Sequence, residues 1–139
     1  MSDAPINGSC LCGEVSFRIT KPYTWFHYCH CSRCRKVSGA AHSANLLVRI
    51  DQLAWVSGEA SLGRYELPGA KSFSTTFCTR CGSALPWVTK NGKWVVVPVG
   101  VLDEDPGALP ERNIFWDSRA PWYLPVGDLP TFAEIPPRD

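Results

Sequence analysis

The chain has 139 residues, the size of one folded unit, since a single core organises about 100 to 150 residues. Hydrophobic residues make up 45% and charged residues 19%, which excludes a disordered or fibrous chain. Lysine and arginine number 14 against 13 aspartates and glutamates, and the net charge of +1 gives no field to hold nucleic acid or an anionic membrane. The expected partner is therefore a small molecule or a protein, and the expected organisation is one domain over 1–139.

In chain order, Met1 to Gly8 carries neither the basic nor the apolar stretch of a secretory signal. No run approaches the roughly 18 to 20 apolar residues of a membrane span. A cytoplasmic location is expected. From Glu14 to Ile19, Val15, Phe17 and Ile19 alternate with Glu14, Ser16 and Arg18, the period-two signature of a half-buried strand. Trp25 to His30 continues in the same manner. A short helical turn fits after Cys31. Strand-like runs follow at Ala44 to Ile50, Leu53 to Val56, Phe73 to Phe77 and Trp94 to Val101, punctuated by Ser57-Gly58, Pro68-Gly69 and Asn91-Gly92. Asn91-Gly92 suits a tight two-residue hairpin turn. The fold class is mainly β, with antiparallel sheets.

After Leu102 the chain becomes proline-rich, with Pro106, Pro110, Pro121, Pro125, Pro130, Pro136 and Pro137. Proline donates nothing to a ladder, so this segment runs over the sheets and does not join a central one. Its large apolar residues, among them Ile114, Phe115, Trp116, Trp122 and Phe132, predict packing on the domain, at about 1.5 to 3 kcal/mol per buried side chain.

The seven cysteines are an odd number, which a complete disulfide framework would not leave. In a reducing compartment, clustered cysteines bind metal or do redox chemistry more often than they form structural disulfides. They fall into Cys10-Leu11-Cys12-Gly13, Cys29-His30-Cys31-Ser32-Arg33-Cys34 and Cys78-Thr79-Arg80-Cys81-Gly82. Cys78 and Cys81 have the spacing of a zinc knuckle, with Gly82 letting the backbone turn behind them. Cys10 and Cys12 would project from one face of an extended strand, and with the knuckle would complete a closed, structural tetrathiolate site. Cys29, Cys31 and Cys34 remain. Three thiolates leave a fourth position open, as in catalytic zinc sites.

The alternatives for this triplet are a site closed by another ligand and metal-free redox thiols. Counting also permits Cys10 and Cys12 to pair with members of the triplet. Alternation places His30 on the side opposite Cys29 and Cys31. A soft three-thiolate site suits a thiol substrate, bound as thiolate, better than water activation.

Taken together, Gly8 to Val15, Cys29 to Gly39, Phe77 to Leu85, Gly100 to Asp103 and Ser118 to Tyr123 resemble the glutathione-dependent formaldehyde-activating enzyme family, which also includes centromere protein V. The resemblance implies several coiled antiparallel sheets of the β-tent type built around a structural zinc on Cys10, Cys12, Cys78 and Cys81. It implies a second zinc on Cys29, Cys31 and Cys34, hence two zinc ions per chain, with glutathione as substrate. The implied activity is addition of glutathione to formaldehyde, in reverse a carbon-sulfur lyase, with the triplet as the catalytic residues. Asn113 stands where many relatives carry histidine.

Arg33, Arg35 and Lys36 are the candidate contacts for substrate carboxylates. His27, His30 and His42 are candidate acids or bases. The tryptophans are expected to fill or cover the core, with Trp116 and Trp122 as candidates for a pocket wall. The other function classes left open are a noncatalytic zinc-stabilised protein-interaction module and a thiol redox sensor.

Overall fold

The computed structural model describes residues 4–125 and 127–137. The alternation around Phe17 becomes a strand pair, in which β1 (Ile6–Ser9) runs antiparallel to β2 (Ser16–Ile19), and β5 (Leu53–Ser57) joins the far side of β2. Val15, Phe17 and Ile19 are fully buried, as their spacing predicts. A second sheet is formed by β6 (Leu62–Glu66), β7 (Ser74–Cys78) and β8 (Ala84–Leu85).

The third sheet is central and has five strands. Its order is β11 (Arg112–Ile114), β3 (Trp25–Cys29), β4 (Ser43–Arg49), β10 (Trp94–Pro98) and β9 (Trp87–Val88). All pairs are antiparallel except β11 with β3, which is parallel. Phe26, Leu46, Val48, Val95 and Val97 on one face of this sheet pack with Ile6, Phe17 and Ile19 of the first sheet and Leu85 of the second into one core cluster. Among the described residues, no helix is long and apolar enough to cross a membrane.

Two details depart from the sequence pattern for local reasons. β10 ends at Pro98, and Val99–Val101 forms a 3-10 turn, because proline has no N–H to continue the ladder. The Asn91-Gly92 hairpin exists but is wider than a two-residue turn. Thr89 N–H bonds to the Trp94 carbonyl, and the Asn91 side chain accepts from the Thr89 hydroxyl (2.7 Å) and the Lys93 N–H (3.0 Å). Gly92 takes a φ of 75°. The asparagine thus shapes the loop with its side chain.

Contrary to the expectation that the C-terminal segment only runs over the sheets, its proline-free stretch Arg112–Ile114 joins the central sheet as β11, at an edge. The His30 N–H bonds to the Ile114 carbonyl and the Glu111 N–H to the Phe26 carbonyl. Ala120 is buried and Tyr123 half-buried, whereas Trp122, Leu124, Phe132 and Ile135 stay exposed. Beyond Ile114 the segment forms no further strand with the sheets among the described residues, so these apolar side chains lie along the surface.

In the first and second sheets a glycine faces an aromatic ring across the ladder: Gly8 opposes Phe17, and Gly63 opposes Phe77. A Cβ at Gly8 would collide with the Phe17 ring. Gly8→Ala is therefore expected to lower stability by about 1 to 3 kcal/mol, the usual cost of overpacking. Urea unfolding checks this, with the midpoint falling while the slope is preserved.

Candidate metal centres and their cleft

Cys10 and Cys12 lie in the turn between β1 and β2, not on an extended strand. The Gly13 N–H closes back on the Cys10 carbonyl (3.0 Å), Gly13 takes a φ of 80°, and the Val15 N–H points at Cys10 Sγ (3.2 Å). Cys78 and Cys81 occupy the corresponding turn between β7 and β8. There the Gly82 N–H bonds to the Cys78 carbonyl (2.7 Å), and Gly82 has a φ of 79°. Both pairs are thus knuckles. The expectation of a strand pair failed because alternation cannot register a turn whose carbonyl is claimed by a glycine three residues later.

Side chains lock the two knuckles together. The Leu11 N–H donates to Ser83 Oγ (2.8 Å), and Arg80 pairs with Glu14 (2.8 Å). Ser9, just before Cys10, donates to the Asp103 carboxylate at 2.9 Å, which accounts for part of the Gly100 to Asp103 motif.

The four sulfurs lie within 4.8 Å of one another. Tetrahedral zinc with bonds of about 2.3 Å places its sulfurs about 3.8 Å apart. The separations of Cys10 from Cys12 (3.7 Å) and of Cys12 from Cys78 (3.8 Å) fit that geometry. The Ser83 hydroxyl and backbone hold the Cys81 thiol down at about 5, which favours the thiolate that a metal requires. This group could hold a zinc ion with no position left over.

Cys29, Cys31 and Cys34 also gather within 4.8 Å. β3 delivers Cys29. Cys31 caps the helix α1 (Ser32–Ser38), its sulfur accepting from the Cys34 N–H at 3.3 Å, so the first helical turn brings Cys34 alongside. Gly39, at a φ of 66°, ends the helix. The Cys34 side chain, acting against desolvation, lowers Cys29 to about 6, while Cys34 itself is raised by its bond to Cys29 and by burial. Three acids so close cannot all ionise without a cation beside them. The donor set fits a soft metal and supplies three ligands.

This group opens on a cleft of about 730 Å³, within the range of small-molecule sites. Its floor is the face of the central sheet turned away from the core. Alternation sends Trp25, His27 and Cys29 of β3 into the cleft and Phe26 and Tyr28 toward the core. Asn45 and Leu47 of β4 and Trp94 and Val96 of β10 continue the floor. The loop 69–73, Trp87 and Phe115 form walls. Lys90 holds that loop, its Nζ donating to the carbonyls of Leu67 (3.0 Å) and Ala70 (2.8 Å). Phe115 has a φ of 55°, a positive value found at no other non-glycine among the described residues.

Of the candidate cations, Arg33 lines the cleft, its guanidinium 5.9 Å from the centre of the Phe73 ring. Arg35 and Lys36 are not among the lining residues, and Lys71 is. The cleft tryptophans are Trp25, Trp87 and Trp94, in place of Trp116 and Trp122. Trp116 instead stacks under Arg119 (4.5 Å), and Trp122 is exposed. Asn45 and Lys71 carried no motif. Only their strand register and loop path put them here.

The three histidines diverge. His30 is fully buried outside the cleft lining, bonded to Asn113 Oδ1 at 2.9 Å and ringed by His42, Trp116 and Tyr123. The C-terminal segment thus closes over it. His27 lines the cleft, stacked on Trp25 at 4.1 Å and 3°. Burial, with Arg112 nearby, lowers its pKa and keeps the ring neutral. Neither of its ring nitrogens has a hydrogen-bond partner among the described residues.

A family model described as glutathione-dependent formaldehyde-activating enzyme matches residues 5–118. The chain belongs to that family. A protein of Halomonas elongata named "Putative glutathione-dependent formaldehyde-activating enzyme" is 35% identical over 125 residues, covering 84% of this chain and 78% of its own length. A crystal structure of a Rhodobacter sphaeroides protein superimposes with a TM-score of 0.61 at 23% identity, over 76% of this chain and 98% of that one. This last likeness concerns the fold. All three cysteine clusters lie inside the matched family segment.

Cobalt(II) added to metal-free protein is expected to produce the intense visible bands of tetrahedral thiolate coordination, saturating at two equivalents. In Cys31→Ser, saturation is expected at one.

Proposed function

We propose that this protein catalyses the reversible addition of a glutathione-like thiol to an aldehyde, in the reverse direction a carbon-sulfur lyase reaction, and that it does so in the cytoplasm. The observation that carries this reading is a corner of three thiols opening on a cleft of about 730 Å³. In this reading Cys10, Cys12, Cys78 and Cys81 hold a structural zinc, and Cys29, Cys31 and Cys34 hold a second zinc with an open position. That second ion, when bound, supplies the positive charge that keeps a substrate thiol ionised at neutral pH.

The chain's own residues do the rest. The cleft floor sets the carbonyl carbon against the sulfur, turning a bimolecular encounter into a positioned attack. The carbon-sulfur bond forms, the carbonyl π pair moves to oxygen, and oxygen takes up the proton that the thiol released. In this reading Arg33 pairs with a substrate carboxylate through its planar fork, and Lys71 adds a second charge, a role supported by both residues lining the cleft. Arg35 and Lys36, in the last turn of α1, contribute to the local positive field.

Exchange NMR of labelled formaldehyde with glutathione tests the reaction. Faster exchange with the hydroxymethyl adduct is expected, and exchange at the buffer rate would overturn the reading. Cys31→Ser should lose at least about 100-fold of the acceleration while unfolding cooperatively, as removal of a group acting in the transition state does. Cys78→Ser should instead lose cooperative unfolding, because structural metal binding and folding are coupled. Arg33→Ala is expected to raise KM for glutathione about tenfold with little change in kcat, the pattern of lost uniform binding.

A further inference from the structure

We propose that the aldehyde handled in this cleft carries a bulky apolar or aromatic substituent, and that its adduct is held by a hydrogen bond from its hydroxyl to His27. The proposal rests on the thiol-aldehyde chemistry above and adds the substrate class.

The cleft floor is layered along β3. Its first layer is Cys29, with Cys31 and Cys34 beside it. Two residues back, about 7 Å along a strand, His27 stands opposite Asn45 of β4. This second layer is polar, and both side chains are more than nine-tenths buried. Another two residues back, Trp25 stands opposite Leu47, which is itself opposite Val96 of β10. This third layer is apolar and also faces the cleft, and Trp94, two residues back along β10, extends it.

A thiol-aldehyde adduct has the same order of chemistry: a sulfur, a carbon bearing a hydroxyl, and whatever substituent the aldehyde brought. With the sulfur at the first layer, the hydroxyl comes within reach of the second, and the substituent extends over the third. The stack against Trp25 covers a face of the His27 ring. A neutral imidazole offers one donor and one acceptor, and in this protein both are buried without partners. Buried polar groups are otherwise satisfied almost without exception. A hydroxyl, which both donates and accepts, answers that need.

Formaldehyde would satisfy His27 but leave the third layer facing water, since its carbon carries only hydrogen. An aryl or branched alkyl group would cover Trp25, Leu47, Val96 and Trp94, with the gain that follows removal of apolar area from water. Group transfer is balanced as before. The thiol sulfur bonds to the aldehyde carbon, the π pair goes to oxygen, and the released proton ends on that oxygen.

The test compares substrates and a binding probe on the metal-loaded protein. Exchange NMR with glutathione should show at least about tenfold greater acceleration over buffer for benzaldehyde than for formaldehyde. Tryptophan fluorescence should report at least about tenfold tighter binding of S-benzylglutathione than of S-methylglutathione. His27→Phe, confirmed folded by its unfolding curve, should lose at least about tenfold in benzaldehyde exchange, the scale of one lost hydrogen bond to a buried group. His27→Gln, which keeps a donor and an acceptor, should recover part of that loss. Equal affinity for the two thioethers with formaldehyde favoured in exchange, or full activity in His27→Phe, would overturn the proposal and leave thiol-aldehyde chemistry standing. Acceleration of neither aldehyde, with neither thioether bound, would remove that chemistry and the proposal together.

Discussion

Four sulfurs from two hairpins converge within 4.8 Å, and that convergence is the constraint around which the sheets are arranged. One knuckle belongs to the β1–β2 hairpin of the first sheet and the other to the β7–β8 hairpin of the second. Thiolates brought so close repel one another, and a cation at their centre would remove that repulsion. Chain length makes such a staple valuable. A core built from short strands, several of only two to five residues, buries limited apolar area, and a metal bound there would add folding free energy. The bonds from Leu11 to Ser83 and from Arg80 to Glu14 fix the knuckles' mutual orientation around that point.

With two sheets joined at one end, the five-stranded sheet can serve two purposes. Its inner face closes the core with Leu46, Val48, Val95 and Val97, while its outer face is left as the floor of a cleft. The period-two geometry of a strand makes this division automatic, because neighbouring residues point to opposite sides. Phe26 and Tyr28 therefore support the core while Trp25, His27 and Cys29 line the cleft. A strand holds Cys29 and the start of α1 holds Cys31 and Cys34, while the 69–73 loop and Phe115 form the walls. That division suits a site in which the sulfur-binding corner is fixed and the remainder selects among substrates.

The C-terminal segment illustrates how far pattern reading extends. Its prolines predicted a path over the sheets, yet the proline-free stretch Arg112–Ile114 joins the edge of the central sheet as β11. Its apolar residues predicted burial, yet Trp122, Phe132 and Ile135 remain exposed. Hydrophobicity says what a side chain would gain from burial, not whether a surface is available to bury it. Similarly, β1 (Ile-Asn-Gly-Ser) and β6 (Leu-Gly-Arg-Tyr-Glu) lack clear alternation. They are strands because Phe17 and Phe77 lie over their glycines and because their partners offer free backbone groups.

Spacing along the chain grouped the cysteines into two pairs and a triplet, and the fold decided that the two pairs share one cluster while the triplet forms another. Alternation determined the long strands, and the combined motifs determined the family. Which surfaces face one another was beyond the reach of either, because it depends on register between segments far apart in sequence. Tertiary structure alone placed Asn45 opposite His27, brought Lys71 and Trp87 to the cleft, and buried His30 under the C-terminal segment. Which cysteines stand close along the chain is local, so sequence could specify it. Substrate selection is a property of a surface assembled from several strands and a loop, and only the folded chain decides it.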